Sequence, residues 1–230
     1  MDTLVRGTRA TLDTLLARLD QAAEAVTVHD GDRARDQYPP IDTFLASTSR
    51  HLGAVSSVVV SAARTHLDDG PERAREFVDQ ARRLEMALNQ VKAKLYGSSY
   101  AVRRTWGSIW DDVRHEFEAT SRLEVSLVQD LAAHVRAKDP DWGEELYHAE
   151  LHAPTRPHPF IPHQGARGKV ARAVALRVDR FWDAAEGRMV PEPVRHHERS
   201  EDGPITQYLL ADPHLPEDEA GALPQGGSPA

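Results

Sequence analysis

Proline placement is the tightest constraint on this chain. There are 15 prolines, yet none falls within residues 1–38, 41–70 or 72–139. Proline removes an amide donor and clashes with the preceding turn, so it marks where helices can break. The permitted breaks are Pro39-Pro40, Asp69-Gly70-Pro71 and Asp139-Pro140, with a softer one at Gly97-Ser98-Ser99. This spacing predicts four helices, over about 2–28, 41–67, 72–96 and 101–137. Asp42 suits an N-cap near the second start, and Pro71 suits the first turn of the third helix.

Apolar periodicity agrees with these spans. Leu4, Thr8, Leu12, Leu15, Leu19, Ala22 and Val26 recur at spacings of three and four, as do Phe77, Ala81, Leu84, Leu88, Val91 and Leu95. Such stripes need burial against other helices. Four of them joined by short connections predict an all-α fold, an antiparallel up-down four-helix bundle over 1–152. Val58-Val59-Val60 continues the stripe of the second helix, and residues 142–152 can form a short helix. Residues 153–166 read as a Pro-rich, extended linker. Residues 167–188 form an additional C-terminal amphipathic helix, with Val170, Val174, Val178, Phe181 and Ala185 on one side. Residues 189–230, rich in Pro, Gly and acids, read as a largely disordered tail.

Composition excludes several functions. Cysteine is absent, which removes disulfides, thiolate catalysis, zinc fingers and iron–sulfur clusters. Acids outnumber Lys and Arg by 36 to 28, for a net charge of −8, so nucleic acid is not an expected partner. No apolar run reaches the roughly 18 residues of a membrane span. Acids and arginines interrupt the opening residues where a signal peptide would need an apolar core, so a cytoplasmic location is expected. No G-x-S-x-G or Gly-rich phosphate signature occurs, and Gly165-Ala-Arg-Gly168-Lys169 lacks the required spacing. No catalytic set is predicted.

The 12 histidines direct attention to ligand chemistry. A metal site in a helical bundle needs His or carboxylate side chains pointing inward from different helices. At about 100° per residue, Glu124 lies near the centre of the fourth stripe (Val102, Trp106, Ile109, Val113, Phe117, Leu127, Leu131), with Thr120 one turn before it. In the second helix His66 lies near the stripe centre in the last turn, and His51 lies on its flank. His115 falls on the solvent side and His134 at the edge, while Glu85 is a marginal candidate. A buried carboxylate needs a partner. For Glu124 that partner is a metal, a histidine or an arginine. His51 also reads as a satisfied core histidine, and His66 as an imidazolium favoured by a helix C-terminus, and those readings take precedence. A second cluster, Glu144, His148 and His152, shares one helical face by its spacing of four. It also reads as a solvated polar face.

Three stretches resemble a known family. They are Phe44-Leu-Ala-Ser-Thr-Ser-Arg-His51-Leu, Thr120-Ser-Arg-Leu-Glu124-Val-Ser-Leu-Val and Ala153-Pro-Thr-Arg-Pro-His-Pro. Together they resemble the hemerythrin-like proteins with an HHE cation-binding domain, in their actinobacterial form, over about 41–163. The resemblance implies a four-helix bundle holding non-heme iron, usually a pair, that binds dioxygen, nitric oxide or peroxide, senses them, or stores iron. The full pattern uses five histidines and two carboxylates. Here Thr120 stands where the family's histidine would precede Glu124 by four, and the third helix lacks ligands. The implied set shrinks to His51 and Glu124, with His66 added by geometry. Three donors are too few for two irons and suit at most one divalent cation completed by water.

Two functions are therefore expected in parallel. One is a hemerythrin-like bundle that binds iron or another cation and, through it, a small oxidant or diatomic gas. The other is a metal-free interaction scaffold in which residues 167–188 meet a protein partner or a membrane surface. That stretch carries Arg167, Lys169, Arg172, Arg177, Arg180 and Arg188 against Asp179, Asp183 and Glu186. The competing reading packs its Val/Phe face on the bundle as a fifth helix.

Overall fold

The computed structural model describes residues 2–28, 38–95, 103–134, 141–157, 179 and 192–193. All of them belong to one compact unit, residues 1–196. Among the described residues the fold is all-helical, with no strand. The elements are α1 (Asp2–Val28), α2 (Tyr38–Ser57), α3 (Val59–His66), α4 (Gly70–Leu95), α5 (Trp106–His134) and α6 (Trp142–Leu151). None is long and apolar enough to cross a membrane.

Local chemistry sets the ends. α2 starts at Tyr38, ahead of the predicted 41, because Pro39 and Pro40 occupy its first turn, where amide donors have no intrahelical partner. The predicted second helix is interrupted only at Val58, the single residue between α2 and α3, whose φ of −103° and ψ of −68° stay in the right-handed helical region. Ser57 Oγ donates to the Ala54 carbonyl at 2.9 Å, the acceptor that Val58 N–H also uses. Such side-chain competition bends helices. α3 stops where Leu67 turns extended, with φ −101° and ψ 141°. α4 then begins at Gly70, where a Cβ would stand 2.0 Å from the Ala63 carbonyl oxygen, so the α3–α4 turn closes only around glycine. Thr105 Oγ1 accepts from Ser108 N–H at 3.2 Å and sets the start of α5 five residues later than predicted. Asp141 caps α6 by accepting from the Gly143 and Glu144 amides at 3.0 and 3.2 Å.

The predicted stripes are the core. Leu15, Leu19, Phe44, Leu52, Phe77, Leu84, Leu88, Ile109, Leu127 and Leu131 are all essentially inaccessible. Each such side chain contributes about 1.5–3 kcal/mol relative to exposure. α1 packs on α2 and α5, and α4 packs on α3 and α5. α4 and α5 run antiparallel, since Gln80 meets Glu116 while Arg73 meets Asp130. α2 and α5 run the same way, since Phe44 faces Trp110 and His51 faces Glu124. They are not a closely packed pair, so their link is made by side chains reaching across the interior. α6 rests mainly on α2.

The start of the predicted linker is packed: Ala153, Pro154, Thr155 and Pro157 are buried in irregular structure. Gly53 admits it, because a Cβ there would meet the Ala153 Cβ at 3.3 Å. The remaining linker, the helix at 167–188 and the tail at 189–230 lie outside the described residues, except for Asp179, Glu192 and Pro193.

Candidate functional site

Three charged side chains meet where α2, α5 and α6 converge. His51, Glu124 and Glu150 retain 3 %, 1 % and 7 % of their exposure. His51 Nε2 lies 2.9 and 3.1 Å from the two carboxylate oxygens of Glu124. On the other side Nδ1 lies 2.6 Å from Glu150 Oε1. The imidazole thus stands between two carboxylates, with both ring nitrogens engaged.

The electrostatics follow from that placement. Burial by itself depresses the His51 pKa. The charge of Glu124, the hydrogen bonds from Glu124 and Glu150, and the charge of Glu150 together outweigh it and raise the value to about 10. At neutral pH the ring is therefore an imidazolium donating on both sides. A second cation stands close by. Arg18 donates through Nη1 to Ser47 Oγ at 2.6 Å, and burial lowers its pKa against the opposing pull of Glu150. Arg50 Nε donates to the Glu150 backbone carbonyl at 3.2 Å.

His51 and Glu124 therefore meet as predicted, and of the partners left open for Glu124 the structure supplies a histidine. His66 does not join them. It is exposed at the end of α3, with its ring edge on Trp142 at 5.3 Å between centroids. The predicted inward placement is not met: Ala62, Ala63 and Leu67 are the buried positions around it, and the His66 ring turns to Trp142 instead. The second cluster is a surface feature. Glu144 and His148 pair at 3.2 Å, while His152 Nδ1 donates to the His148 carbonyl at 2.8 Å. All three side chains are exposed. Among the described residues no group of three or more His, Asp or Glu is placed to hold a metal ion. Nδ1 and Nε2 of His51 each stand at hydrogen-bond distance from a carboxylate oxygen, so in this arrangement the ring has no nitrogen left for a cation and the donor set does not fit the implied iron.

Glu150 is the member that sequence reasoning missed. The signal was present: Trp142, Leu146 and Glu150 share a spacing of four and are the buried face of α6. That is an acid on an apolar stripe, the same cue that singled out Glu124. Two cavities complete the picture. One of ≈ 10 Å³, about the space of one water, adjoins His51, Glu150, Arg18, Ser47, Arg50 and Glu192. The other, ≈ 500 Å³, opens between α1 and α5 over Leu12, Leu16, Phe117 and Val125, away from the triad. No family model matches this chain, and neither a curated protein nor a solved structure matches it.

Proposed function

We propose that this chain is a metal-free helical scaffold in the form of an antiparallel up-down four-helix bundle, with α6 added, and that it works by presenting a surface to a partner protein. The neighbour relations of α1, α2–α3, α4 and α5 support the bundle. The observation that carries the reading is the double engagement of His51, with one carboxylate on each ring nitrogen. The histidine that the family resemblance would assign to iron is spent on a proton. The open cavity between α1 and α5, with an apolar floor and Arg9, Asp13, Glu118 and Arg122 around it, is the surface that suits a partner.

The test is metal analysis of untagged full-length protein, with spectra recorded before and after peroxide. The scaffold reading expects no stoichiometric metal and no peroxide-dependent band. One bound equivalent of iron or another divalent cation, lost in the His51→Ala plus Glu124→Ala variant, would overturn it in favour of a cation-binding, oxidant- or gas-binding bundle.

A further inference from the structure

Another buried carboxylate secures the chain next to the triad. Asp179 retains 1 % of its exposure. Its Oδ2 accepts from the Thr155 and Arg156 amides at 3.0 and 3.1 Å, and Oδ1 stands 4.0 Å from Arg156 Nε. Those amides belong to the segment that leaves α6 just after Glu150. The segment is held on its other sides too. Ala153 N–H donates to the Glu150 carbonyl at 3.2 Å, Arg50 donates to the same oxygen, and Ala153 sits over Gly53.

This anchoring matters because α6 is a helix of 10 residues. Isolated helices shorter than about 12–15 residues are marginal in water. A carboxylate on such a helix can exchange a buried donor for solvent by a small shift of the backbone. Asp179 opposes that shift. A buried carboxylate is tolerated where charge-assisted hydrogen bonds compensate its desolvation, and here the two compensating donors are consecutive backbone amides beyond Glu150.

We propose that Asp179 is a positioning residue that clasps the Thr155–Arg156 backbone and thereby holds the Glu150 carboxylate on His51. The proposal rests on the scaffold reading, in which Glu150 and Glu124 engage the two ring nitrogens of His51. It assigns Asp179 of the predicted amphipathic helix an intramolecular role, one that turns this residue away from a membrane.

The test is proton NMR of the full chain, following the two His51 ring N–H signals. Asp179→Ala is expected to remove or move upfield the Nδ1–H signal that faces Glu150 while leaving the Nε2–H signal that faces Glu124. Asp179→Asn, whose side-chain oxygen can accept the same two amides, is expected to restore it. Both signals unchanged in the alanine variant, or both lost together, overturn the proposal. Hydrogen exchange on the unaltered protein gives a second check: protected Thr155 and Arg156 amides are expected, and free exchange overturns the clasp. A metal on His51 would abolish the Nε2–H signal in the unaltered protein. That result sinks the proton reading separately, while amide protection still reports on Asp179.

Discussion

His51 shows how one side chain's chemistry depends on what surrounds both ends of its ring. With Glu124 on one nitrogen and Glu150 on the other, it is a buried cation between two anions. Removing one member of such a group leaves an uncompensated buried charge, which costs about 3–5 kcal/mol. His51→Ala should therefore lower unfolding free energy by that amount in denaturant titration. Glu144→Ala, which breaks the exposed pair with His148, should change it by less than about 0.5 kcal/mol. The pH dependence has a definite sign. The folded-state pKa of about 10 exceeds the ordinary 6.5, so between those values the folded chain keeps a proton that the unfolded chain releases. The contribution is complete below pH 6.5 and is lost as pH rises through 10. Denaturant midpoints measured across that window should fall, and His51→Gln should flatten the slope.

Elements end where particular residues end them, which makes their boundaries testable one at a time. Thr105 and Asp141 cap α5 and α6, and alanine at either should cost about 1 kcal/mol by chemical denaturation. The glycines divide by environment. Gly70→Ala drives a Cβ into the Ala63 carbonyl, so we expect a loss of about 1–3 kcal/mol or more and a lower thermal midpoint. Gly7, inside α1, has nothing within 4 Å of a built Cβ. Gly7→Ala should stabilise by about 0.5–1 kcal/mol, because alanine loses less backbone entropy in a helix. Helix existence was legible in advance from proline spacing and apolar stripes. The interruption at Val58 was not, because Val58-Val59-Val60 keeps the stripe and the Val58 and Ala62 amides keep their helical acceptors across it. His66 follows the buried Ala62 by one turn, yet at the last residue of α3 its ring turns out to Trp142.

At the scale of the whole molecule, polar interactions bridge what apolar packing leaves apart. α2 and α5 exchange few backbone neighbours, yet His51 and Glu124 tie them, and Glu150 ties α6 to α2. Because these ties are closed by a proton, a chelator should leave the thermal unfolding midpoint of the untagged protein unchanged. A midpoint that drops with chelator and returns with added divalent cation would contradict the scaffold reading. The candidate site was half legible. Glu124 and His51 stood out because each interrupts or flanks a long stripe whose phase is well defined over many turns. Glu150 interrupts the short face of Trp142 and Leu146, too few positions to fix a phase, and Asp179 lies beside its stripe rather than on it.

The order of residues alone determined that the chain would be helical, where most helices would start and stop, and that Glu124 would face inward, since these depend on neighbours within a turn or two. Only the tertiary structure decided who meets whom. A helical face specifies a direction but not the partner standing there. The glycine contact at Gly53 and the grip of Asp179 hold the segment that follows Glu150, whose carboxylate meets the ring of His51, while His66 meets Trp142.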